Sequence, residues 1–151
     1  MGIFHSTFEP GREVYEAAMI GDLDRLKNAE KRGGSLGWTN PRGWTPLMAA
    51  AYHCQIAIVL YLVGRKVDLN TRNNVGQSAL HLAAIHNWYV IAGILLKDGS
   101  MNACIVATDG ASQGMTAWDI AYERKYLETL ELIRHHRPGS IMHNADGKGG
   151  M

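Results

Sequence analysis

Two stretches of this chain, Asn40-Pro-Arg-Gly-Trp-Thr-Pro-Leu-Met-Ala-Ala-Ala51 and Asn73-Asn-Val-Gly-Gln-Ser-Ala-Leu-His-Leu-Ala-Ala84, are copies of one pattern set 33 residues apart. A fixed period of that length requires a small supersecondary unit stacked on itself, because no single unit can bury its apolar face alone. Such a stack offers an extended surface rather than an enclosed catalytic pocket. Ala17, Ala50 and Ala83 are spaced by 33 residues, and the next match, Gly114-Met-Thr-Ala-Trp-Asp-Ile-Ala121, comes 38 residues after Ala83. Four units result, with an insertion at the last junction.

The local chemistry of the unit is that of a helix start. Thr45 can cap a helix through its hydroxyl, and Pro46 fits the first turn, where a missing N–H costs nothing. Ser78 and Thr116 stand at the same place in the later copies. Gly43, Gly76 and Gly114 precede these caps by two residues, where a tight turn often needs a positive φ. The alanine pairs make a thin helix on which the next unit can lie closely.

The pattern Gly-x-Thr-Pro-Leu-(His)-x-Ala-Ala at this period resembles the ankyrin repeat, carried best by Gly43, Thr45, Pro46, Leu47, Ala50 and Ala51. The third unit keeps Gly76, Leu80, His81, Leu82, Ala83 and Ala84. The first lacks the Thr-Pro start and the fourth has Tyr122 for the second alanine, as terminal repeats often vary. The resemblance implies an all-α solenoid of helix-turn-helix units with β-turn or hairpin fingers. Expected boundaries are an N-terminal arm at 1–11, an array at 12–137 and a flexible tail at 138–151. The four repeats fall at about 12–39, 40–72, 73–110 and 111–137.

In the two central repeats the second helix is apolar nearly all round: Ile56-Ala-Ile-Val-Leu-Tyr-Leu-Val63 and Val90-Ile-Ala-Gly-Ile-Leu-Leu96. That predicts neighbours on both sides, with Leu60 in the inter-repeat core. The corresponding helices at the ends, Asp22–Arg32 and Tyr126–Arg134, carry one apolar stripe with charges elsewhere. They read as the caps of a free-standing domain.

With 151 residues, 46% of them hydrophobic, one domain with a continuous core is expected. A formal net charge of +1 gives no footprint for nucleic acid or an anionic membrane. Cys54 and Cys104 lie in different repeats with no signal peptide ahead of them, so a reducing, cytoplasmic or nuclear location is expected. The apolar stretch from Pro46 to Gly64 is broken by His53, Cys54 and Gln55, which makes it two short helices rather than a membrane span.

Motifs suggesting enzymes fail their context tests. Gly33-Gly-Ser-Leu-Gly37 has the letters of a nucleophile elbow around Ser35, but that turn requires a preceding strand and a following helix. Asp146-Gly-Lys-Gly-Gly150 lacks the leading glycine and spacing of a phosphate loop. The seven histidines show no metal-ligand spacing. His81 occupies the family's motif position, where the resemblance implies hydrogen bonding within and between repeat turns. His135 and His136 close the last helix, where a cation suits the dipole. No catalytic residue, cofactor or metal is expected.

In ankyrin-like stacks the partner surface comprises the turn tips and the inner face of the first helices. After each alanine pair come Met19 and Ile20, then Tyr52 and His53, then Ile85 and His86, then Glu123 and Arg124. Between turn glycine and cap stand Trp44, Gln77 and Met115, with Arg42 and Val75 nearby and Trp38 before the first turn. A row of aromatic and aliphatic residues is the composition of an interface core, so a partner protein is expected there. Residues 103–113 form a longer finger, read either as a binding element or as a tolerated insertion. Gly2 fits an N-myristoylation pattern, though a single acyl chain binds membranes only marginally. An adaptor or scaffold, monomeric on its own, leads the functional readings. A stoichiometric inhibitor of a partner enzyme and a hydrolase centred on Ser35 are the alternatives.

Overall fold

A computed structural model describes residues 9–136. Its eight α-helices come in four pairs: α1 (Pro10–Ile20) with α2 (Leu23–Lys31), α3 (Pro46–Tyr52) with α4 (Ile56–Gly64), α5 (Ala79–Ile85) with α6 (Tyr89–Lys97), and α7 (Ala117–Glu123) with α8 (Leu127–Arg134). The first helices of the pairs stack in order, α1 on α3 on α5 on α7, as an inner row. Helices α4, α6 and α8 stack in the same order as an outer row. Side chains of α2 join that row, through the Tyr61 hydroxyl donating to Glu30 at 2.5 Å and an Arg65–Glu30 ion pair.

The caps follow from the sequence. Thr45 Oγ1 accepts the Met48 N–H at 3.2 Å. At Thr116 the box is reciprocal: the hydroxyl accepts the Asp119 N–H, and the Asp119 carboxylate accepts the Thr116 N–H at 2.8 Å. Gly43, Gly76 and Gly114 take φ of 75°, 76° and 76°. At Gly43 a Cβ would also lie 2.7 Å from Asn74 Oδ1, so the close approach of the next finger requires glycine there.

Between inner and outer helix the chain turns through a left-handed residue in every repeat: Gly21, Cys54, Asn87 and Lys125. The alanine pairs are fully buried, and around them Leu26, Ile58, Leu62, Leu80, Ile91, Leu95 and Ile133 fill the core. Small residues on one helix let the bulk of the other reach it, which is how a thin repeat attains interior packing density.

The structure departs from the sequence reading at three places. The first helix begins at Pro10, not at residue 12, because proline's fixed φ and absent N–H suit the opening turn. Likewise a boundary between 110 and 111 would cut a 3-10 turn at Gly110–Ser112. Helices α4 and α6 are not enclosed on all sides: Leu60 is 54% exposed, and Ile56, Tyr89 and Val90 are exposed beside it. An outer helix has neighbours on three sides only, and its fourth side faces solvent.

The long finger is also more ordered than its sequence suggested. Ala103, Ile105 and Ala107 are buried while Cys104, Val106 and Thr108 are exposed, the alternation of an extended strand. Ala107 N–H donates to the Met115 carbonyl and Gly114 N–H to the Ala107 carbonyl, both at 2.9 Å, which closes a hairpin. The inserted residues form its 3-10 tip, and Thr108 N–H donates to the Val75 carbonyl of the preceding finger at 2.9 Å.

Candidate functional site

Each inner helix ends with carbonyls that its own turns do not fill. The next repeat supplies a side-chain donor at each junction. Gln55 Nε2 donates to the Met19 carbonyl at 3.0 Å, Trp88 Nε1 to the Tyr52 carbonyl at 3.0 Å, and an Arg124 guanidinium N–H to the Ile85 carbonyl at 2.9 Å. Three chemically different groups perform one task, and each is thereby fixed at the rim of the inner face.

Around the second of these junctions the aromatic residues converge. The Tyr52 ring lies edge-on to Trp44 at 5.4 Å, to His53 at 5.1 Å and to His86 at 4.5 Å. Trp88 stacks near His86 at 5.9 Å. Trp44 and Tyr52 stand eight positions apart, so both project on the side of α3 that carries Met48. Tyr52 and His53 are exposed, whereas Trp44, His86 and Trp88 are half-buried. The result is an aromatic shelf with a solvent-facing edge.

His86 is electrostatically unusual. Its Nε2 is buried and has no hydrogen-bond partner. Burial, then the nearby Arg124 charge and then His53, hold its pKa below the ordinary histidine range. The ring is therefore neutral at pH 7 and adds surface to the shelf without adding charge.

The other expected site residues separate into groups. Gln77 and Met115 are half-buried at the base of the fingers, and Ile85 is half-buried on α5. Val75 is half-buried too, its carbonyl engaged by the next finger. Arg42 is exposed at a finger tip, and Glu123 and Arg124 are exposed on α7 and just after it. Trp38 does not join the row: its ring lies 5.6 Å from Tyr15 and packs so closely over Gly11 that a Cβ there would come 2.3 Å from it. It is a lid on the first repeat. Trp88 was missed from sequence, although the 33-residue register aligns it with Gln55, another side-chain donor. Gly2 and the tail at 138–151 lie outside the described residues.

His81 links repeats as its motif position implied. Its Nδ1 accepts the Ser78 N–H at 3.2 Å, which leaves Nε2 to donate to the Met115 carbonyl at 3.1 Å. Burial lowers its pKa, consistent with a structural, neutral imidazole. Ser35 sits exposed in the turn after α2, its hydroxyl accepting the Gly37 N–H at 3.2 Å, with no strand before it and no helix directly after it. Among the described residues no group of three or more His, Cys, Asp or Glu side chains is placed to hold a metal ion. No described helix is long and apolar enough to cross a membrane.

Comparison with known proteins agrees with this geometry. A family model of ankyrin repeats in three copies matches residues 14–109 and again 55–145. The chain is 33% identical over 87 residues to ankyrin repeat and SOCS box protein 3 of Bos taurus, covering 56% of this chain and 17% of that protein. It is 31% identical over 124 residues to ankyrin repeat and SAM domain-containing protein 6 of Rattus norvegicus, covering 81% of this chain and 13% of that one. It is 28% identical over 99 residues to the RelA-associated inhibitor of Mus musculus, covering 66% and 12%. The chain thus spans less than a fifth of each of these relatives.

Proposed function

The chain belongs to the ankyrin-repeat family, whose members usually mediate protein–protein interactions, and on that premise we propose that it is an adaptor that holds a partner protein on its inner face. The observation that carries this reading is the shelf of Trp44, Tyr52, His53, His86 and Trp88, half-buried at its root and exposed at its edge. Aromatic side chains contribute large, stiff contact area at small entropic cost, and they are the residues that dominate measured hot spots. The finger residues Arg42, Val75, Gln77 and Met115 would extend the contact on one side. Glu123 and Arg124 would add a charged rim at the far end. The role is non-enzymatic, and two cysteines with no disulfide between them fit a reducing compartment.

Capture from the native cell followed by mass spectrometry tests the proposal. Tyr52→Ala and His53→Ala should each lose partner recovery while melting like the parent. Trp44→Ala is the weaker probe, because the ring also packs against the core. Normal recovery by a Tyr52→Ala, His53→Ala double variant would move the partner off the shelf.

A second reading is a stoichiometric inhibitor of the captured partner. It is favoured by the likeness to a protein named as an inhibitor associated with RelA. Titrating the protein against the partner's activity separates the two: an adaptor leaves activity unchanged, and an inhibitor abolishes it at one equivalent.

A further inference from the structure

The solvent face of the outer row changes character along the array. On α2 it presents Asp24, Lys27, Asn28 and Lys31, and on α8 Glu128, Glu131 and Arg134. Between these charged ends, the same positions on α4 are Ile56, Ala57, Leu60 and Gly64, and on α6 Tyr89, Val90, Gly93 and Lys97. Seven of those eight carry no charge. The large ones are open to solvent, Leu60 at 54% and Tyr89 at 49%. An apolar patch rimmed by charge is the signature of an association site, and nothing in the repeat stack covers this one.

We infer that this outer face binds a second copy of the chain through a two-fold axis lying between α4 and α6. A half-turn about an axis normal to the face sends α4 onto α6, sends α2 onto α8, and reverses helix direction. The side chains match under that operation. Leu60 meets Gly93 of the other copy, and Gly64 meets Tyr89, so large faces small at both places. Lys31 meets Glu128 and Lys27 meets Glu131, so the basic rim of one copy lies on the acidic rim of the other. A two-fold interface must be self-complementary in this way, since every contact is made twice.

Some of these groups have neighbours already. Lys27 lies 5.3 Å from the Tyr61 ring, and Glu131 pairs with Arg134 at 3.6 Å. Lys31 and Glu128 make no ion pair among the described residues. They are the cleaner charge probes.

The size of the face sets the strength. Nine-residue helices rise about 13 Å, and packed helices lie about 10 Å apart, so four of them present a strip of roughly 13 by 40 Å. That is below the roughly 800 Å² per partner of a standard interface, which makes the dimer a weak one of roughly micromolar to sub-millimolar strength. This departs from the monomer expected from sequence, because that expectation placed Leu60 in the core.

Sedimentation velocity on the full chain from about 5 to 500 μM tests the inference, since a dimer of this strength dissociates across that range. The parent should shift from monomer to dimer. Leu60→Glu should raise the dissociation constant at least about tenfold while melting like the parent, because it buries an unpaired charge only in the dimer. Lys31→Glu and Glu128→Lys should each weaken the dimer. The double exchange should restore it, since the two positions again face each other across the axis with opposite charges. A monomer throughout the range would overturn the inference. So would a Leu60→Glu protein that dimerises normally, or a double exchange that weakens the dimer by the sum of the single effects.

Discussion

Leu60 and Leu62 are two residues apart on one helix, and the structure assigns them opposite energetic roles. Leu62 is 0% exposed among neighbouring repeats, whereas Leu60 is 54% exposed on the outer face. Truncating a fully buried leucine costs its transfer free energy plus a cavity, about 2–5 kcal/mol together. Truncating Leu60 forfeits roughly half of a leucine's burial, below about 1 kcal/mol, and alanine's helix propensity offsets part of that. A domain of this size is stable by roughly 5–15 kcal/mol, so about 3 kcal/mol is a large fraction. At about 2–4 °C per kcal/mol, Leu62→Ala should melt roughly 10 °C lower and Leu60→Ala within a few degrees of the parent. Urea unfolding followed by helical circular dichroism measures both losses, at a concentration where the chain is monomeric. Because repeat contacts are nearest-neighbour, hydrogen exchange in Leu62→Ala should accelerate in α1 and α5 together with α3 and α4. Equal losses for the two leucines would refute the orientation of α4. Exchange confined to the second repeat would refute the coupling.

Three further outcomes follow from particular residues. The pKa of His81 is depressed by burial, so the unfolded chain takes up its proton first on acidification. Stability should therefore be complete above the unfolded value near pH 6.5 and fall below it, and His81→Gln should flatten the slope between about pH 6.5 and 5 in urea melts. The finger at 103–113 should resist limited proteolysis except at its exposed tip of Thr108, Asp109, Gly110 and Ala111, with mass spectrometry locating the cut. Cleavage at Cys104 or Val106 would show that the hairpin does not hold. Lys125 holds φ of 59°, so Lys125→Gly should raise stability by up to about 1 kcal/mol in urea melts, as relief of left-handed strain outweighs the glycine's extra unfolded entropy.

Much of the array was legible because its signals are periodic and local. The 33-residue offset located the caps at Thr45 and Thr116, the positive-φ glycines and the alanine core. The pairing role of His81 came with the motif. What could not be read was direction. An apolar helix such as Ile56–Gly64 does not say which side its neighbours occupy, so Leu60 was assigned to a core that only Ile58, Val59 and Leu62 enter. The hairpin at 103–113 was missed because its inward residues are two alanines and one isoleucine, too small to mark a strand by hydropathy. At the site, the inner row was expected, but its closure into a shelf depends on Trp88. That residue's indole N–H is committed to a carbonyl of the preceding repeat, a contact made only in the stack.

The central claim is that the shelf around Tyr52 is the partner-binding surface. Hydroxyl-radical footprinting of the protein, free and with its captured partner, tests it most directly, because the label reports on aromatic side chains themselves. The account predicts that labelling of Tyr52, His53 and Trp88 falls on partner binding while that of Tyr89, at the outer face, is unchanged. Protection of Tyr89 with Tyr52 and His53 left fully reactive would contradict it.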